Sequence, residues 1–404
     1  MAMPTRVLSL GSFYPPHHLG GYETVWRGVM EYLRSQGHRA RILTTDYRRP
    51  GVAPDAPEDP DVHRELDWYW REHEWRAMGP LARLRLERRN AAILNRHLSE
   101  FQPDVITWWP VGGMSLGLIE QARRSGVPSL LFVHDYWLNY GPEHDLWTRM
   151  WSRLRPAAAL AEQLTGLPTR VDYAAAGRWV FCSRTVLDHA LASGVRIADS
   201  AILSPGIENA YLNAARQESP SWSWRLVYIG RIVEQKGVRT AIESLALLPS
   251  QASVWIVGDG DPQYRLVLER LAASLGVARR VHFLNPRPRA ELIEVYRGAD
   301  AVVFPVGWAE PWGLVPLEAM ALGAPVVATG RGGSGDYLVN GWNSLLFEAG
   351  DASGLAVELR RLADDAELRR RLRQGGYETA ARHGEDSFNQ GALAEIQAAA
   401  RFAH

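Results

Sequence analysis

Glu310 and Glu318 close the two ends of the stretch EPWGLVPLE, with seven residues between them. An apolar run, AVVFPV, leads into it, and a helix-like run, LVPLEAMALG, carries on from it. Pro316 falls in the first turn of that helix, where proline is tolerated. Glu310 then lies in a loop and Glu318 roughly one turn into the helix, so both can face one cleft. Carboxylate oxygens accept from O–H groups and grip vicinal hydroxyls well. The N–H groups at Gly313, Leu314 and Val315, free at a helix start, can meet a phosphate. The plainer alternative is a helix-end carboxylate favouring the dipole and a loop glutamate in water.

Three more groups carry chemistry. In YIGRIVEQKGVRT a strand ends at Gly230, Arg231 and Lys236 follow, and a helix starts near Gly237. Two cations beside a helix N-terminus make an anion site. A solvated loop with two ordinary basic residues is the competing reading. In HHLGGYETV, Gly20 and Gly21 let backbone approach a phosphate or sugar closely. They do not form the full dinucleotide fingerprint, and an ordinary glycine turn would look the same. In VHDYW, His134 and Asp135 end an apolar strand. A histidine there could bond a sugar hydroxyl or the reacting centre, or serve as a structural group at a cleft edge. GDGD at 258–261 superficially resembles an Asp-x-Asp metal motif.

The elements that must position these groups follow an alternating order. The 404 residues suit two domains of roughly 200 residues each. Strand-like RVLSLG, RARILTT, PDVITWWP, SLLFVHD and RWVFCS alternate with helical segments, among them 23–37. Residues 207–224 lack a clean period and read as a linker. The alternation restarts with RLVYIG, SVWIVGDG, VHFLN, AVVFPV, PVVAT and NSLLFE. The expected fold is α/β, with two Rossmann-like doubly wound parallel sheets and ligands beyond the carboxyl ends of the strands. The expected division is 1–206, a linker 207–224, 225–385, and a C-terminal helix 386–404 packing back on the first domain. Two aromatic-rich amphipathic insertions, 61–90 and 139–172, break the order. Each is read first as plain surface helix, with an acceptor-facing or membrane-facing surface as the functional alternative.

Composition excludes several classes. Lys+Arg and Asp+Glu both number 45, so no net charge draws the chain to nucleic acid. One cysteine, Cys182, allows neither an internal disulfide nor a cysteine metal cluster and fits a reducing cytoplasm. No apolar run reaches the length of a membrane span, and the N-terminus lacks the long apolar stretch of a signal peptide. Cytoplasmic placement is expected, with peripheral contact at the inner face of the membrane as an option and no obligate protein partner. Tryptophan numbers 16, which is read mainly as core filling.

The motifs GRIVEQKG, VGDGD, FPVGWAEPWGLVPLEAMALGAPVVAT and NGWNSLLFEAGD, in this order, resemble the C-terminal domain of the family-four retaining glycosyltransferases of GT-B fold. GGYETV and VHDYW resemble parts of the N-terminal domain. The resemblance is strongest over 226–351, weaker over 1–47 and 128–138, and absent from the insertions. It implies transfer of a sugar from a nucleotide-diphosphate sugar to an acceptor hydroxyl with retained configuration and no metal or other cofactor. It further implies that Glu318 binds ribose hydroxyls and Glu310 the donor sugar. Arg231 and Lys236 would clamp the diphosphate, Gly20 and Gly21 would press on it, and His134 would contact the sugar. Backbone at Gly313, Leu314 and Val315 would add phosphate or sugar contacts. The chain departs from the pattern at Pro205-Gly206, at GGSGDYL with Asp336, and at the NPRP loop after VHFL. Rival readings are a sugar phosphorylase or nucleotide-sugar epimerase of the same fold, and a non-catalytic nucleotide- or glycan-binding protein.

Overall fold

A computed structural model of the chain describes residues 4–52, 59–71, 74–215 and 221–401. It divides into two compact units, Met1–Ser204 with Phe388–His404, and Pro205–Ser387.

The first unit is built on a seven-stranded parallel sheet. Its strands are β1 (Arg6–Gly11), β2 (Arg39–Thr45), β3 (Val62–Leu66), β4 (Val105–Trp108), β5 (Ser129–Val133), β6 (Arg178–Phe181) and β7 (Ser200–Ile202), in the order β3-β2-β1-β4-β5-β6-β7. Central strands such as β4 and β5 are buried throughout, which is why they read as unbroken apolar runs rather than alternating ones. Trp26, Val29 and Met30 of the Tyr22–Ser35 helix pack with Val7, Val105 and Phe132 of the sheet. Phe388, Ala392, Ile396 and Ala399 of the Glu385–Arg401 helix join that same core.

Three segments differ from their sequence reading. Residues 61–90 are not simply an insertion. VHREL is the edge strand β3, paired in parallel with β2, and the Pro80–Phe101 helix follows it. Its polar sequence hid it, because an edge strand need not bury both faces. Ser200–Ile202 is a second short edge strand that the sequence reading passed over. The supposed linker holds a one-turn helix, Asn209–Leu212, with Ile207 and Tyr211 buried. So short a helix shows no period.

The second unit holds a six-stranded parallel sheet of β8 (Arg225–Ile229), β9 (Ser253–Val257), β10 (Val281–Leu284), β11 (Ala301–Phe304), β12 (Val326–Ala328) and β13 (Ser344–Leu346). The order is β10-β9-β8-β11-β12-β13. In both sheets the strand order reverses beside the first strand. At such a switch point neighbouring loops part and leave a crevice beyond the carboxyl ends. The β1–helix loop carries Gly20 and Gly21 there, and the loops after β8 and β11 carry Arg231, Lys236 and Glu310.

Candidate functional site

In the second unit, β8 runs into Gly230, and the chain crosses a short 3-10 turn, Glu234–Lys236, before the Val238–Leu245 helix. Gly237 makes the connection with a φ of 71°. A Cβ there would lie 1.8 Å from the Pro305 carbonyl oxygen, so no other residue fits without displacement. This close approach brings the turn after β8 against the loop after β11. Gly307 N–H donates to the Gln235 carbonyl at 2.9 Å, which reinforces the contact.

The consequence is a direct bond between two predicted site residues 74 positions apart. Lys236 Nζ donates to Glu310 Oε2 at 2.6 Å. The same oxygen accepts from Trp308 Nε1 at 2.9 Å. The pair is mostly withdrawn from solvent, with side-chain exposures of 16% for Lys236 and 11% for Glu310. The backbone of Glu310 is held as well: its carbonyl accepts from Gly333 N–H at 2.6 Å. Gly332, with a φ of 73°, packs so closely that a Cβ would sit 2.3 Å from the Glu310 carbonyl oxygen. Arg231 is different. It is exposed, and no carboxylate among the described residues pairs with it.

The helix Leu314–Ala321 begins at Gly313, whose φ is 90° and which offers no capping side chain. No described residue accepts from the N–H of Leu314 or Val315, so these donors stay open. The Gly313 carbonyl accepts from the Tyr337 hydroxyl. Burial raises that hydroxyl, and the charges of Glu310, Glu318 and Asp336 push it further the same way. Tyr337 therefore stays protonated and feels both terminal glutamates.

Glu318 has its own holder. Tyr296 hydroxyl donates to Glu318 Oε2 at 2.6 Å. Desolvation raises the Glu318 carboxyl above its ordinary value, while the Tyr296 bond and the Arg289 charge oppose this. Trp312, between the two glutamates, belongs to packing. It is 5% exposed, its Nε1 donates to the Pro205 carbonyl at 2.9 Å, and it lies against Tyr337 and His383. The Pro205-Gly206 departure is part of that packing, since a Cβ on Gly206 would come within 2.2 Å of the Gly384 carbonyl carbon.

The first unit holds the other expected residues. Glu23, in the first turn of the Tyr22–Ser35 helix and buried, takes the Gly20 N–H at 3.1 Å and the Leu19 N–H at 3.2 Å. The Gly20 donor thus already faces an internal carboxylate, which the sequence reading missed. An acid three residues after the glycine was the available signal. His134 is buried among Trp109, Phe132, Tyr22 and Phe388. Desolvation lowers its pKa to about 3, so the ring is neutral. Its Nε2 has no hydrogen-bond partner among the described residues. A buried unpaired ring nitrogen is costly. Asp135 next to it is raised to about 6 by burial and accepts from Tyr140 hydroxyl at 2.9 Å and Trp137 N–H at 3.1 Å.

Asp261 of GDGD accepts from Gln263 N–H at 2.9 Å as the cap of the Pro262–Ser274 helix. Among the described residues, His63, Glu65 and His97 bring ligand atoms within 4.8 Å of one another. Arg96 already bonds Glu65, and Arg41 reaches His97 Nδ1 at 3.4 Å. Arg96 also reaches His97 Nε2 at 3.4 Å. Two guanidiniums, which carry positive charge and can only donate, fit an internal ion-pair cluster rather than a cation site.

Known proteins match this arrangement along most of the chain. The family model described as Glycosyltransferase Family 4 matches residues 19–210, and that for Glycosyl transferases group 1 matches 213–379. The lipopolysaccharide core biosynthesis glycosyltransferase LpsE of Rhizobium meliloti is 34% identical over 172 residues, 42% of this chain and 48% of that protein. The chain thus spans about half the length of the first curated relatives it matches. Glycogen synthase of Mycobacterium tuberculosis is 27% identical over 412 residues, 91% of this chain and 88% of that one. The crystal structure of Anabaena Alr3699/HepE in complex with UDP-glucose superposes with a TM-score of 0.69 at 20% identity, covering 97% of this chain and 99% of that one. With its two parallel-sheet Rossmann-like units and its ordered motifs, the chain belongs to the family-four glycosyltransferases, the glycosyl transferases group 1, and has the GT-B fold.

Proposed function

We propose that the protein transfers a sugar from a nucleotide-diphosphate sugar to an acceptor hydroxyl with retention of configuration and without a metal. The observation that carries this reading is the paired Lys236 and Glu310 beside an unpaired Arg231, at the carboxyl ends of β8 and β11. Cations without a full complement of carboxylates suit a leaving diphosphate, whose negative charge grows as the bond to the sugar breaks. Lys236 and Arg231 stabilise that charge, and the open N–H groups of Leu314 and Val315 add to it. Glu310 accepts from donor-sugar hydroxyls and Glu318 from ribose hydroxyls. Gly20 and Gly21 approach the diphosphate, and the unpaired nitrogen of neutral His134 bonds a sugar hydroxyl.

In the transfer, the sugar C1–O bond to the diphosphate breaks. The acceptor oxygen bonds to C1 on the same face, and its proton passes to the departing phosphate oxygen. The UDP-glucose in the Anabaena structure supports a uridine donor as the first one to try. The test is a thermal-shift screen of nucleoside diphosphates and their sugars, followed by transfer to simple hydroxyl acceptors with the product's anomeric configuration read by NMR. A bound ligand raises the melting temperature by mass action. A retained product in EDTA is expected. An inverted product, or full dependence on added metal, would overturn the proposal.

A further inference from the structure

The first unit carries an arginine and leucine surface that the transfer reaction does not use. The helix Leu146–Arg153 has no acidic residue, and the helix Arg155–Thr165 has one, Glu162, which is taken by Arg124 at 2.7 Å. Arg149, Arg153 and Arg155 are exposed, and no carboxylate among the described residues pairs with them. A cavity of about 380 Å³ opens between Arg83, Arg149, Arg153, Leu146, Met150 and Leu154. Leu154 of its lining and Leu160 and Leu164 of the following helix are exposed by 51%, 58% and 75%. Leu160 and Leu164 are four apart and share a helix face.

Single exposed leucines are ordinary, but several on one short stretch of chain, together with arginines that no described carboxylate neutralises, mark an interaction surface. The charge says which kind. A net-neutral chain has gathered uncompensated positive charge at one place, together with apolar side chains long enough to enter an acyl layer. We propose that this surface docks the protein on an anionic lipid bilayer, with lipid phosphates at Arg83, Arg149 and Arg153 and the three leucines in the acyl boundary. None of these residues belongs to the nucleotide-sugar site, so the inference stands apart from the proposed reaction.

The test is co-sedimentation of the full chain with phosphatidylcholine vesicles, alone or mixed with phosphatidylglycerol. Binding to the mixed vesicles only is expected, weakening with added salt. An arginine near an anionic surface changes partitioning about fivefold, so the R149A/R153A/R155A variant should lose about a hundredfold. The L160S/L164S variant, altered only at exposed positions, should also bind more weakly while keeping its circular dichroism and nucleotide binding. Equal binding to both vesicle types, binding to neither, or wild-type binding by the arginine variant would overturn the proposal. So would displacement by inorganic phosphate beyond that by chloride of equal ionic strength, since the site would then serve a soluble anion.

Discussion

Removing the Lys236 charge separates a catalytic role from a structural one. In Lys236→Ala, Glu310 keeps Trp308 Nε1 as donor but loses its cation, while remaining 9% exposed. Breaking a fully buried pair costs about 3–5 kcal/mol. Here both side chains retain some exposure and one donor survives, so about 1–2 kcal/mol is the reasonable share. For a unit of this size that lowers the melting temperature by about 2–8 °C. The rate should fall much further, by about 10²–10³ in kcat, because the charge acts on the leaving diphosphate. Arg231→Ala provides the contrast. Its side chain holds no partner among the described residues, so stability should move by no more than about 0.5 kcal/mol, yet kcat should fall by a comparable factor. The assay is initial-rate transfer at saturating donor, with calorimetric melting of each variant. The double variant K236A/E310Q completes the cycle. If Lys236 merely neutralised Glu310, the double variant would transfer no more slowly than E310Q alone. Transfer within about threefold of wild type in folded Lys236→Ala, or a double variant as active as E310Q, would refute the reasoning.

Three further outcomes follow from the same geometry. Glu318→Ala should weaken nucleoside diphosphate binding about 10- to 100-fold by isothermal titration, the worth of a charge-assisted hydrogen bond, with little effect on kcat at saturation; unchanged affinity would remove it from the ribose. His134 is held neutral, with its pKa lowered from 6.5 to about 3. Below the ordinary histidine value the unfolded chain therefore binds a proton that the folded one refuses, and stability is lost as pH falls, at up to about 1.4 kcal/mol per pH unit. Denaturant titrations should show this slope in wild type and lose it in His134→Phe, and an equal slope in both would sink the assignment. Gly237→Ala combines a φ of 71° with a Cβ lying 1.8 Å from the Pro305 oxygen. It should destabilise the second unit by at least about 1–3 kcal/mol and separate Lys236 from Glu310; a melting curve like wild type's would show that the loop yields freely.

The sequence by itself determined the α/β class and the two series of buried strands, because hydrophobic runs and helical periods are local properties of the chain. It also marked Arg231, Lys236, Glu310 and Glu318 as loop and helix-start residues, since glycine and proline punctuate where strands end. Other features required the sheet order. The bond from Lys236 to Glu310 exists because β11 lies next to β8, although two strands and their helices intervene in the chain. VHREL became a strand only by meeting β2, for its polar pattern carries no signal of its own. The acceptor facing Gly20 N–H, the stripped-bare nitrogen of His134 and the seating of Trp312 on Pro205 likewise depend on which surfaces meet. Spacing can say where a side chain starts. Only packing decides what it touches, because desolvation and hydrogen-bond geometry are set by neighbours distant in the chain.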